Sequence, residues 1–311
     1  MKTWLFIVAL LFSIEAVAEP VNKVVIFGDS LSDNGNLYEY MKHQLPISPP
    51  YYQGRFSNGP VWIENVVKHY YPEDSNAHLL NYAFGGAGVA ENAEDDEDDT
   101  LFTLHHEVDS YLLTHHDQAD AQSLFVVWMG ANNYLAFPDD PEQSVLAVNQ
   151  GIYQELERLV SKGATHLMIV TLPDLGHTPA AADFDSVDLL TKVTLQHNAL
   201  LEKQVEALRL KYPTVQWILY DVNDMFMGAV ATPSTYGFTN VTGTCYEAAM
   251  DTSASSLSVV KMAANIKRQA GRADACEGYL FFDPIHPTAV AHQYIADECI
   301  KLFETLGVVL G

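Results

Sequence analysis

Basic residues are scarce in this chain: 16 Lys and Arg stand against 40 Asp and Glu in 311 residues, a net charge of −24. Like charges repel, so the imbalance argues against nucleic acid and strongly anionic lipid as partners and leaves neutral or zwitterionic substrates. Long apolar runs are missing after the first eighteen residues, so no later segment is expected to cross a bilayer and a soluble product is expected. Internal repeats and Pro/Ser-rich linkers are also absent, which points to one domain. Apolar residues make up 48 % of the chain, close to the globular average, which excludes global disorder.

The amino terminus has the make-up of an export leader. Lys2 supplies the positive start, an apolar core follows, and Ala16-Val17-Ala18 is a small-residue cleavage site. The expected product is a secreted chain of residues 19–311, released from a signal peptide at 1–18. Lys2 and Glu15 cancel, so cleavage leaves the net charge unchanged. Export permits a disulfide among the three cysteines. Cys299 shares an apolar helical face with Ala291, Ile295 and Leu302 and is read as a buried free thiol. Cys245 and Cys276 then form the pair, closing an excursion over residues 245–276; the closure is worth about 3–4 kcal/mol in the chain-entropy picture.

Short β-branched or aromatic runs at 23–27, 78–83, 123–129, 165–172 and 214–220 alternate with helical patterns. Val145, Val148, Ile152, Leu156 and Leu159 recur at helical spacing behind Asp140 as N-cap and Pro141 at the first helical position. A longer pattern covers about 187–210, and a last helix starts near Pro287. This alternation implies a parallel sheet covered by helices on both faces. Sites on such sheets lie at the carboxyl ends of the strands. Ser30 follows the first run, Gly85-Gly86 the second and Gly130-Ala131-Asn132 the third, so all three are expected on one rim.

Ser30 is a weak nucleophile until a base takes its proton, and His286 is the base of suitable chemistry. Asp283, three residues earlier on a Pro-stiffened turn, can reach the other imidazole nitrogen and fix its tautomer. A serine, a histidine and an aspartate so arranged are the parts of a nucleophilic ester-cleaving machine. No glycine stands two positions after Ser30, which excludes the Gly-x-Ser-x-Gly elbow of the α/β-hydrolases.

Phe27-Gly-Asp-Ser-Leu31, Asn81-Tyr-Ala-Phe-Gly-Gly-Ala87, Gly130-Ala-Asn-Asn133 and Asp283-Pro-Ile-His286 resemble the four ordered blocks of the GDSL, or SGNH, hydrolases. Gly54-Arg-Phe-Ser-Asn-Gly-Pro-Val-Trp62 resembles the segment that follows the first block in the lipase branch. Within the family the chain is most similar to secreted bacterial phospholipases and glycerophospholipid:cholesterol acyltransferases. The resemblance implies a flavodoxin-like three-layer α/β/α sandwich with a five-stranded parallel sheet, and a Ser30–His286–Asp283 triad with no cofactor or metal. The backbone N–H groups of Ser30 and Gly86 and the side-chain amide of Asn132 would face the developing oxyanion. The double glycine alone suits a tight turn or a phosphate cradle equally well. Asn133 departs from the family pattern, where Asp is common.

The implied activity is cleavage of acyl esters of lysophospholipids or phospholipids at a membrane or micelle surface, with sterol as an alternative acyl acceptor. Deacetylation of polysaccharide on the same fold, and a non-catalytic exported binder, are the competing readings. Between Cys245 and Cys276 lie Lys261, Lys267, Arg268 and Arg272, a quarter of the basic residues. This excursion reads as a lid or lipid-contacting flap open to an activating protease, or as a stapled surface loop. The six acids of 94–99 read as a solvated loop, since they lack the alternation and glycine turn of a calcium site. His105-His106 and His115-His116 point in different directions on a helix and are not read as metal ligands, and His177 is read as a surface-loop residue.

Overall fold

The fold was analysed in a computed structural model that describes residues 20–89, 102–246 and 276–311. The expected leader, the acidic run 94–99 and the body of the 245–276 excursion lie outside the described residues.

All five expected strands form. They are β1 (Lys23–Gly28), β2 (Leu79–Asn81), β3 (Ser123–Trp128), β4 (His166–Val170) and β5 (Gln216–Tyr220), paired in parallel in the order β2-β1-β3-β4-β5. Between them run α1 (Trp62–Tyr70), α2 (Leu104–Thr114), α3 (Pro141–Ser161) and α4 (Val187–Lys211); after β5 come α5 (Val222–Ala231) and α6 (Ala289–Leu306). Parallel neighbours need crossover helices, and their right-handedness sends helices to opposite faces where the strand order reverses. Accordingly α1 packs with α6, while α2, α3 and α4 pack in succession. Phe27 and Phe125 meet Tyr111 of α2 on one side of the sheet, and Trp128 meets Trp62 of α1 on the other, with ring centroids 6.1, 5.3 and 5.5 Å apart. Every residue of β3 is buried, as expected for a strand covered on both faces.

The caps follow their sequence signals. Asp140 accepts the Gln143 N–H, with Pro141 next to it. The last helix starts near Pro287 as expected, at Ala289, where Thr288 is extended and caps it by accepting the Ala291 N–H. One pair was not foreseen: β6 (Asn240–Thr244) and β7 (Tyr279–Phe281) form a small parallel sheet. The Cys245–Cys276 disulfide stands at the end of β6 and just before β7, with a Cα–Cα distance of 5.0 Å. Cys299 is free and buried. Among the described residues no helix is long and apolar enough to cross a membrane.

β1 lies where the strand order turns back, with β2 on one side and β3 on the other. The crevice beyond the carboxyl ends of β1 and β3 is the place where such sheets hold ligands.

Candidate active site

Ser30 follows β1 into that crevice and is 4 % exposed. Its Oγ lies 2.8 Å from His286 Nε2. His286 Nδ1 lies 2.6 Å from Asp283 Oδ2, so the network places the proton on Nδ1 and leaves Nε2 to accept from the serine. The histidine and the aspartate are fully buried. Residues 256 positions apart in sequence are thus brought into hydrogen-bonding contact.

Asp283 and His286 form a locally assembled pair. Asp283 Oδ1 accepts the backbone N–H groups of Ile285 and His286 at 2.8 and 2.7 Å, which fixes the turn. Oδ2 accepts both the imidazole N–H and, at 2.7 Å, the hydroxyl of buried Tyr51. Burial alone would raise the Asp283 carboxyl, but the charge of His286 and the hydrogen bonds from His286 and Tyr51 outweigh it and hold the group below its ordinary range. Sequence reasoning missed Tyr51.

The lipase-like segment braces this turn. Ser57 Oγ donates to the Pro287 carbonyl at 2.9 Å, Asn58 Oδ1 accepts the Ala289 N–H at 2.7 Å, and the Phe56 ring lies 5.0 Å from the His286 ring. Arg55 donates to both carboxylate oxygens of Glu64, and Oε2 also accepts the Val61 N–H at the start of α1. The double glycine has two different reasons. A Cβ on Gly85 would come 2.3 Å from Phe56, and Gly86 takes a left-handed φ of +85°.

Of the three expected oxyanion donors, Ser30 and Gly86 sit in turns and Asn132 in the short helix Ala131–Leu135, each following the carboxyl end of a strand. Asn132 Nδ2 donates one hydrogen to the Ala87 carbonyl at 2.8 Å, which orients the amide and leaves its second hydrogen free to act. Among the described residues the backbone N–H groups of Ser30 and Gly86 have no acceptor. Asn133 is buried and accepts the Val89 N–H at 2.9 Å, tying the loop after β3 to the loop after β2. The pattern departure at this position is therefore compatible with support of the oxyanion loops.

Three buried acids behind Ser30 also escaped the sequence. Asp33 accepts the N–H groups of Gly35, Asn36, Leu37 and Gly85, joining the first and second blocks. Asp29 accepts the Leu31 N–H, and burial pushes its carboxyl up to about 6. Glu107 of α2 accepts the Gly28 N–H at 2.8 Å, and burial raises its carboxyl well above the ordinary value. Its place between Leu104 and Tyr111 on the core stripe of α2 was the available signal.

The paired histidines lie elsewhere. His105 Nδ1 is 2.7 Å from Glu155, and His115 Nδ1 is 2.8 Å from the Tyr111 carbonyl. His177 lies 3.1 Å from Asp174. Beside Ser30 opens a cavity with mainly apolar walls, among them Trp128, Leu135, Phe226, Phe281 and Ile285. An activated hydroxyl, a base, amide donors and an apolar slot together suit transfer of an acyl group.

The GDSL-like lipase/acylhydrolase family model matches residues 24–299. The chain is 30 % identical to the phosphatidylcholine-sterol acyltransferase of Aeromonas hydrophila over 98 % of both chains. It is 29 % identical to the thermolabile hemolysin of Vibrio parahaemolyticus, covering 96 % of this chain and 68 % of that one. With the secreted effector protein SseJ of Salmonella typhimurium it shares 28 % identity, over 89 % of this chain and 62 % of the relative. By the extent of that match and the order of its blocks, the chain belongs to the GDSL lipase/acylhydrolase family, whose members are ester hydrolases and acyltransferases.

Proposed function

We infer that this protein is a secreted serine ester hydrolase that removes acyl chains from lysophospholipids and phospholipids through an acyl-enzyme on Ser30. The observation that carries this reading is the contact of Ser30 Oγ with His286 Nε2 at the mouth of an apolar cavity. His286 takes the Ser30 proton as Oγ attacks the ester carbonyl, and Asp283 stabilises the imidazolium and holds its orientation. The negative charge on the carbonyl oxygen falls to the Ser30 and Gly86 N–H groups and the Asn132 amide; each such donor is typically worth about 10²–10³ in turnover. Collapse expels an alcohol such as a glycerophosphocholine, which leaves with the proton from Nε2. Water, deprotonated by the same imidazole, then frees the fatty acid, and a sterol hydroxyl in its place completes an acyl transfer. The relative named for phosphatidylcholine and sterol supports this pair of acceptors. Export rests on the leader-like residues 1–18 and on a relative named as secreted. The catalytic unit is one domain over 19–311, carrying the bridged excursion.

The test is fluorophosphonate labelling followed by a substrate panel. The folded protein should label and Ser30→Ala should not; absence of labelling in the native protein would end the catalytic reading. Lysophosphatidylcholine and diacyl phosphatidylcholine should be turned over faster than tributyrin or acetyl-xylan. Preference for acetyl-xylan would transfer the protein to the carbohydrate esterases.

A further inference from the structure

Behind Asn132 lies a buried polar cluster that the triad chemistry does not use. His197 of α4 is fully buried. The Tyr134 hydroxyl lies 2.8 Å from its Nδ1, and Asn149 Nδ2 of α3 lies 3.1 Å from the same atom. Asn149 Nδ2 also donates to the Val145 carbonyl at 3.0 Å, which fixes the orientation of the amide. Nδ1 therefore accepts both bonds, and the ring proton sits on Nε2. Burial lowers the pKa of the ring to about 3, so it is neutral at pH 7. Among the described residues Nε2 has no acceptor. A buried unpaired N–H is destabilising, so packing alone is a poor reason for an imidazole here.

The contacts of the ring supply a better one. Asn132 sits in the helix Ala131–Leu135, five residues long and too short to hold its shape or place unaided. His197 meets this segment at both ends. At the first, Gly130 lets the ring come close: a Cβ there would lie 3.2 Å from His197 Cε1. At the second, the Tyr134 hydroxyl donates to Nδ1. The next residue of α4, Asn198, accepts the Leu172 N–H and donates to the Leu172 carbonyl, at 2.9 and 2.8 Å, just beyond β4. Two adjacent side chains of one long helix thus fasten the segments that follow β3 and β4.

On the reading that Asn132 donates to the oxyanion of acyl transfer at Ser30, we propose that His197 is a positioning residue for that donor. Through Gly130 and Tyr134 it sets the place of the Ala131–Leu135 helix, and with it the aim of the Asn132 amide. The Ala87 carbonyl holds the side chain of Asn132, and His197 holds the backbone beneath it. A misplaced amide leaves the substrate bound but meets the developing charge badly, so the loss falls on kcat rather than on KM.

The experiment measures kcat and KM for p-nitrophenyl butyrate, with thermal unfolding, in Asn132→Ala, His197→Leu and Tyr134→Phe and in the two double variants that add Asn132→Ala. Asn132→Ala should lower kcat about 10²-fold or more. His197→Leu should lower it at least about tenfold and Tyr134→Phe at least about threefold, with KM within about twofold of native. In the Asn132→Ala background both losses should shrink below about twofold, because the donor they aim is gone. A purely structural histidine would lower the unfolding temperature and cost the same factor in both backgrounds. That result, or a native kcat in folded His197→Leu, would overturn the proposal. Should leucine prevent folding, the Tyr134→Phe cycle decides the matter. A native kcat in Asn132→Ala would instead remove the oxyanion reading on which the proposal rests, and a native protein that fails to label would remove the esterase reading itself.

Discussion

The hydroxyl of Tyr51 should be worth more than its distance from the reacting ester suggests. It donates at 2.7 Å to Asp283 Oδ2, the same oxygen that accepts the His286 N–H, and both residues are buried. A hydrogen bond to a charged acceptor contributes about 1.5–3 kcal/mol. Asp283 keeps three other donors when Tyr51 becomes phenylalanine, so the carboxylate is not stranded, and a loss of about 2 kcal/mol is expected. Thermal unfolding should then come roughly 4–8 °C lower. A second effect follows from charge. With one donor fewer, the Asp283 carboxyl rises and more of its charge faces the imidazole, which favours the protonated ring. The limb of kcat/KM that reports loss of the base's proton should therefore move to higher pH in Tyr51→Phe, with the alkaline plateau less affected than the rate at neutrality. The assay is kcat/KM for a soluble butyrate ester across pH, with thermal unfolding measured in the same buffers. A purely structural role for Tyr51 would lower stability without moving the limb. A stationary limb together with unchanged stability would refute the argument altogether.

Two further predictions concern the acids behind the nucleophile. Asp29 is raised to about 6 in the folded chain against an ordinary 3.8, so the stability it contributes is complete below the lower value and is lost as pH climbs through the higher one. Asp29→Asn should therefore be more stable than the parent at pH 7 by about 3 kcal/mol, and the gap should close near pH 4; urea unfolding at both pH values checks this, and a gap that widens in acid contradicts it. Burial raises the Glu107 carboxyl well above its ordinary 4.5, so the isosteric neutral Glu107→Gln should cost less than about 1 kcal/mol, while Glu107→Ala strands the Gly28 N–H and leaves a void, costing about 2–4 kcal/mol. Equal losses in the two variants, measured by urea unfolding, would contradict this.

The central strands were legible because they are apolar runs buried on both faces, and such runs have few other places to go, whereas the edge strand β2 is only half-buried. Their capping and turn residues confirmed the boundaries to within a few positions. The Ser30–His286–Asp283 arrangement was legible for another reason: its motifs sit where strands end. What remained hidden depends on distance in sequence. Tyr51 meets a partner 232 residues away, and its setting between Pro50 and Gly54 carries no periodic signal. The β6–β7 pair is short, and the bridged excursion separates its strands, so neither strand declares itself alone. Asp33 looks like an ordinary surface acid until the backbone N–H groups it accepts are known, whereas the place of Glu107 on the core stripe of α2 was a signal that went unread. The cavity escaped notice because its walls come from elements scattered between Asp29 and Ile295.

The turn that carries Asp283 and His286 is closed by its own backbone bonds, so the proton acceptor and its carboxylate need nothing distant to find each other. Only one separation, from the imidazole to the Ser30 hydroxyl, depends on the rest of the molecule, and residues 56–58 hold it like a spacer. A change that loosens this spacer would switch the chemistry off along a single coordinate, and re-seating it would restore an intact acid–base couple without rebuilding either half.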